Sequence, residues 1–254
     1  SDSALTSITK DVLIGWNIDA APVTPGILPT FSLMSALGGS NLPFAFGHAF
    51  KHGDVPAGQF VNSDLTDWQA VPTTYWPDGS LRHAIIAGRA TCSAAVLKSI
   101  ALSVSATNRS GTALTEADLA VALPTVTLAA GGDSFTLNSL IGTAARHRTV
   151  CSGPVMSNWL YRRQIAGSNH LVAWFDVRLY IGGAVEIFPW MENAYLTVAN
   201  PVSDTRNYTL TIGGVTKFSA TNLPIYHHTR IPLISGAAFS YWTGTDPQIV
   251  PQHD

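Results

Sequence analysis

Charge is what this sequence has least of. Of its 254 residues, 14 are Lys or Arg and 16 are Asp or Glu, 12% in all. Soluble domains usually carry about 25%. The net charge is −2 and no basic cluster stands out, which argues against a nucleic-acid partner. The densest basic pair, Arg162–Arg163, reads as a solvated strand end, because phosphate binders need several charges together. No apolar run approaches the roughly 18 residues of a membrane-spanning helix. No basic start leading into an apolar stretch marks a signal peptide, so no membrane partner is expected. The two cysteines, Cys92 and Cys151, are too few for a disulfide framework. They fall in different β segments, where they either pair or lie buried as free thiols.

Long amphipathic helical periodicity is also missing. The best short helix is residues 115–120, where Thr115 serves as cap and Glu116 and Asp118 suit the first turn. A weaker helical candidate covers residues 31–36. Strand signals are frequent by contrast. Residues 11–18 are apolar and β-rich. Residues 68–76 run into Pro77-Asp78-Gly79, where Pro presets φ and Gly accepts φ > 0, and residues 81–89 return. In residues 97–106, Ile100, Leu102 and Val104 alternate with Ala101, Ser103 and Ser105, as in a half-buried strand.

The clearest run is residues 170–181. Leu171, Ala173, Phe175, Val177, Leu179 and Ile181 share one face. Val172, Trp174, Asp176, Arg178 and Tyr180 share the other, with Asp176 and Arg178 as neighbours. Gly182-Gly183 turns the chain and residues 184–199 go back, predicting a long antiparallel hairpin. Residues 206–212 and 215–219 flank Gly213-Gly214 in another. The expected fold is all-β, an antiparallel sandwich or barrel with long hairpins and little helix. The expected organisation is an N-terminal strand and loop segment over 1–40, one β-rich domain over 41–239, and an extended C-terminal arm over 240–254. That arm gives the chain the look of the front part of a longer extracellular or virion protein.

No constellation assigns a catalytic residue. There is no G-x-S-x-G elbow, no P-loop and no G-x-G-x-x-G after a strand. His48, His52 and Asp54 make a metal face only on a helix, and Gly47, Gly53 and Pro56 exclude one, so neither metal nor cofactor is expected. His227 and His228 fall in a predicted strand and so point to opposite faces. Glu186 and Glu192 share a face but stand six residues apart, about 20 Å, too far for a glycosidase pair unless a neighbouring strand supplies Asp176. Asn108-Arg-Ser and Asn207-Tyr-Thr match the glycosylation acceptor pattern. The remaining candidates are aromatic. Trp159 and Tyr161 share one strand face, Trp174 and Tyr180 another, and Trp190 and Tyr195 follow. Such rings either fill a core or form a platform on which sugars stack. The ligand-binding candidates are Trp159, Tyr161, Arg178, Trp190, Glu192 and His228.

Three stretches bear on kinship. Residues 46–58 (FGHAFKHGDVPAG), residues 76–84 (WPDGSLRHA), and residues 175–183 (FDVRLYIGG) followed by Glu192-Asn193 and His227-His228 occur in this order. Together they resemble the N-terminal RIFT-barrel-like β domain of rhamnogalacturonan exo-lyase-like proteins, a domain also found in bacterial and phage proteins. The resemblance spans residues 46–254 loosely and leaves the first 40 residues uncovered. In those lyases the chemistry lies in a helical toroid further along, so the resemblance implies a supporting or substrate-facing domain and carries over no catalytic residue. Turn chemistry accounts for its most specific motif, with Trp76, Pro77, Asp78, Gly79 and Arg82 in structural roles. The expected function is thus a structural or adhesion domain of a phage virion or secreted protein, bound to other subunits or to copies of itself. The alternatives are a carbohydrate-binding accessory domain of a polysaccharide lyase, with a polysaccharide as partner, and a stand-alone glycan-active enzyme using His228, Glu192 or Asp176.

Overall fold

The structure is a computed structural model that describes residues 28–195, 197, 202–236 and 238–253. The strand expected over residues 11–18 lies outside them. Alternation of apolar and polar side chains builds strands throughout. In the first half these are β1 (Thr30–Ser35), β2 (Gly39–Ala49), β3 (Phe60–Ser63), β4 (Trp68–Tyr75), β5 (Leu81–Cys92) and β6 (Lys98–Ser105). Helix α1 (Glu116–Ala122) follows, capped by Thr115, whose hydroxyl accepts from the Asp118 amide while Asp118 reaches back to the Thr115 amide. Then come β7 (Val126–Ala130), β8 (Asp133–Thr136), a 3₁₀ turn at Leu137–Leu140, β9 (Arg146–Cys151), β10 (Met156–Gln164), β11 (Val172–Tyr180) and β12 (Val185–Asn193). The last are β13 (Asp204–Ile212), β14 (Val215–Ile225), β15 (Thr229–Pro232), β16 (Tyr241–Trp242) and β17 (Ile249–His253). The fold is all-β, and its named strand pairs are antiparallel.

Two pairs of facing sheets each enclose a core. Sheets β17-β1-β6-β3 and β2-β5-β4 bury Phe31, Leu33, Phe44, Trp68, Ile86 and Ile100 between them. Sheets β15-β12-β11-β10-β9 and β14-β13-β7-β8 bury Leu128, Phe175, Val177, Ile187, Tyr208 and Leu210. The two halves meet at a third, smaller cluster. There Ala87 of β5 packs with Cys151, Met156 and Tyr180, and Ala45, Val71, Ile85 and Trp242 lie against them. Strand β5 therefore has no wet face at its centre. Ala84, Ile86 and Ala90 enter its own core, while Ile85 and Ala87 face the junction.

Several expectations hold. Strands β4 and β5 pair across the Pro77–Gly79 turn, and β11 pairs with β12 across Gly182–Gly183. Gly182 and Gly183 take φ of 90° and 87°, a region costly for any residue with a Cβ. Strands β13 and β14 pair across Gly213–Gly214.

Others are corrected. Residues 31–36 are not helical. Thr30–Ser35 is strand β1, because Phe31 and Leu33 point together into the first core while β6 and β17 take up its backbone bonds. The segment expected to be an extended arm packs on its own chain, with β16 paired to β12 and β17 paired to β1. His227 and His228 do not lie on opposite faces of a strand. They sit in the turn before β15, with ring centroids 3.7 Å apart, and His228 takes a positive φ of 64° while its amide donates to the Asn193 carbonyl.

Candidate functional site

The face of β9–β12 that turns away from the second core gathers charged, hydroxyl and aromatic side chains. Strand parity puts Trp174, Asp176, Arg178 and Tyr180 of β11 on it, beside Glu186, Phe188, Trp190 and Glu192 of β12. Residues equidistant from Gly182 face each other across the hairpin, so Arg178 stands opposite Glu186 and Trp174 opposite Trp190.

At the end nearest the junction, Arg178 Nη1 lies 3.1 Å from Glu186 Oε2 and its Nε lies 3.9 Å from Asp176 Oδ1. The Tyr180 hydroxyl donates to Glu186 Oε2 at 3.2 Å and the Ser240 hydroxyl to Oε1 at 2.7 Å. The Asn158 amide nitrogen donates to Asp176 Oδ1 and, at 3.1 Å, to the Val177 carbonyl. Burial alone would ease the proton off Arg178. Glu186, Tyr180 and Asp176 outweigh it and hold the guanidinium pKa above its ordinary value. Burial, reinforced by Glu186, drives the Tyr180 phenol well above its ordinary range, so it remains a donor. Asp176, Arg178, Glu186 and Ser240 floor a cavity of about 240 Å³ whose upper wall is Phe188 and Phe239. The two rings are stacked with centroids 5.9 Å apart, and Phe239 is 82% exposed.

The far end of the same face is filled. Trp174 and Trp190 stack at 5.8 Å with their planes 6° apart. Arg162 lies 5.5 Å over Trp174, and Arg230 lies 5.5 Å over Trp190. Both indole nitrogens are buried without a hydrogen-bond partner. Glu192 is buried and pairs with Arg230 at 2.6 Å.

The six ligand-binding candidates therefore separate. Arg178 lines the cavity. Trp190 and Glu192 share its face but lie four and six residues further along β12 than Glu186, about 13 and 20 Å away. Trp159 and Tyr161 are core residues instead of a platform. They project to the opposite side of β10, into the second core, where the Tyr161 hydroxyl donates to Glu116 at 2.7 Å. His228 is exposed in its turn. Sequence reasoning did not select Glu186, Phe188, Phe239 or Ser240 as ligands. Symmetry about Gly182 would have found Glu186 and Phe188. Phe239 and Ser240 arrive from a distant segment and left no local signal.

The histidine and cysteine candidates fall elsewhere. His52 Nε2 pairs with Asp78 at 2.9 Å and packs edge-on against Trp76. Among the described residues, no group of three or more His, Cys, Asp or Glu is placed to hold a metal ion. Cys92 and Cys151 are buried and unpaired. The Pro77–Gly79 motif is a clasp. Asp78 accepts from the Ser80 amide and hydroxyl, the Trp76 indole donates to the Phe50 carbonyl, and Arg82 lies 4.8 Å over the Trp76 ring.

Comparison with protein-family models, with curated proteins and with solved structures returned no match.

Proposed function

We propose that this chain is a non-catalytic glycan-recognising domain of an extracellular or virion protein, and that the cavity under Phe188 and Phe239 holds one neutral sugar ring. The observation that carries this reading is the pairing of an apolar ledge with a polar floor. A pyranose has an apolar C–H face that suits aromatic rings and a rim of hydroxyls that suits Asp176, Arg178, Glu186 and Ser240. The volume of about 240 Å³ falls below the roughly 300–1,000 Å³ of pockets for drug-sized ligands, which favours a single ring. Two carboxylates against one guanidinium leave the floor net negative, which favours a neutral sugar over a uronate.

A catalytic role is less well supported. Glu192 and Asp176 lie on facing strands about four residues out of register, roughly 13 Å, beyond direct or water-bridged proton transfer. Asp176 and Glu186 both lie against the same Arg178 guanidinium, so neither stands as a free carboxyl poised over the cavity.

Calorimetric titration with a panel of methyl glycopyranosides tests the reading. Binding of at least one neutral member is expected, lost in Arg178→Met and weakened in Phe239→Ala. Silence across the panel, or preference for uronates, overturns it.

A further inference from the structure

The sugar cavity is not closed at its inner end. A second cavity of about 290 Å³ adjoins it and shares Arg178, Glu186 and Phe239 as lining. Its remaining walls are of another kind. They come from β2 and β17 of the first half and from Trp242 of β16, so this chamber lies between the two halves. Trp242 stacks on Tyr180 at 5.5 Å with the planes 23° apart, and Pro43, Ala45, Val250 and Pro251 add apolar surface. Its polar side-chain groups are Arg178 and Glu186, which it shares with the sugar chamber, together with the Tyr180 hydroxyl and the Trp242 indole nitrogen. The Tyr180 hydroxyl is already committed to Glu186.

Resting on the sugar reading above, we infer that this second chamber takes an apolar, ring-shaped aglycone, so that the preferred ligand is a glycoside of an aromatic alcohol and not a longer sugar chain. A second sugar would have to bury hydroxyls against Pro43, Ala45, Val250 and Pro251, which offer no side-chain partner, and that desolvation is unfavourable. An aromatic ring loses nothing there and gains stacking against Trp242. The passage between chambers runs past Phe239, whose ring contributes to both walls.

The test compares three probes of whichever sugar binds most tightly: its methyl glycoside, its p-nitrophenyl glycoside and its disaccharide. The aryl glycoside is expected to bind at least about tenfold tighter than the methyl glycoside, since a buried ring removes 150–250 Å² from water. Two variants locate the gain. Trp242→Ala removes the stacking partner. Val250→Glu, at a half-exposed strand position, sets a carboxylate on the chamber wall without a core cavity. Both are expected to abolish the aryl gain while leaving the methyl glycoside's affinity within about twofold. Equal affinity for methyl and aryl glycosides overturns the inference and leaves the sugar reading standing, as does a disaccharide that gains as much as the aryl probe. Retention of the aryl gain in Val250→Glu also overturns it. Binding of p-nitrophenol alone, with no methyl glycoside bound at any concentration, overturns the sugar reading and keeps the apolar chamber.

Discussion

Gln69 and Met156 form a peptide-like pair across the junction of the two halves. The Gln69 amide nitrogen donates to the Met156 carbonyl at 2.7 Å, and its oxygen accepts from the Met156 and Val155 amides at 2.9 Å each. Gln69 is 4% exposed, so no water replaces those bonds. Parity on β4 explains how it gets there. Trp68 enters the first core, and its neighbour must face the junction.

Loss of that amide should loosen the junction. Gln69→Ala strands the Val155 and Met156 amides and leaves the Met156 carbonyl only the weak Cys151 thiol donor, and each unsatisfied buried group costs about 1–3 kcal/mol. A loss of at least about 2 kcal/mol is expected, or roughly 4–8 °C in Tm for a chain of this size. Gly153→Ala should destabilise by the same route, because its Cβ would sit 2.3 Å from Gln69 Oε1, an atom pinned by two amides. In the Gln69→Ala background the added methyl has room. Denaturation of the double variant should therefore show strong non-additivity, and simple additivity would contradict the contact.

The two thiols should be inert in the folded protein. Burial pushes the Cys151 thiol up to about 11 and also raises Cys92, although Lys98 opposes it slightly. Treatment with a maleimide at pH 7.5 should leave the native mass unchanged and add two labels in denaturant. Labelling of Cys151 under native conditions would contradict its burial.

The hairpins were legible in the sequence because turn chemistry and period-2 alternation agree there, around Pro77–Gly79 and Gly182–Gly183. Helix α1 was legible from the cap at Thr115. Alternation states which residues share a face, not which face is dry. In β10 both faces hold large side chains, so Trp159 and Tyr161 looked as available as Leu160 and Arg162. Pairing with the second core decided between them. Strand β1 was misread as helical because six residues are too few to separate a period of 2 from a period of 3.6. The cavity was half legible. Its floor follows from one hairpin's symmetry, whereas Phe239 and Ser240 reach it through long-range packing that local pattern does not encode.

The Asp78 clasp has its own signature. Asp78 holds the Ser80 amide at 3.0 Å, the Ser80 hydroxyl at 2.7 Å and His52 at 2.9 Å, and it ties the loop around His52 to the β4–β5 turn. In Asp78→Ala that loop should open, and cleavage by trypsin after Lys51 should quicken several-fold under native conditions. Unchanged cleavage would mean that the bonds from Phe50 to Arg82 and from Leu81 to Val55 hold the loop without it.

Acid should reveal a second carboxylate. Asp133 ties β8 to β10 and to the turn that follows it, with Arg163 bidentate at 2.9 and 3.0 Å and the Ala166 amide at 2.8 Å. Burial pushes its pKa up, but the bonds from Arg163 and Ala166 outweigh burial and hold it below the ordinary carboxylate value. A carboxyl whose folded pKa is depressed binds its proton more weakly when folded than when unfolded. Its contribution to stability is therefore present above the unfolded pKa of about 3.9 and is lost as pH falls through the folded value. Asp133→Asn keeps the shape and removes the charge. At pH 7 the variant should be less stable by about 1–3 kcal/mol, the range for a hydrogen-bonded ion pair. Measured by urea denaturation at successive pH values, that gap should hold at pH values above the unfolded pKa of about 3.9 and shrink as pH falls below it. A gap of constant size down to pH 2 would show that the amide geometry at Asp133, and not its charge, is what steadies β8 against β10.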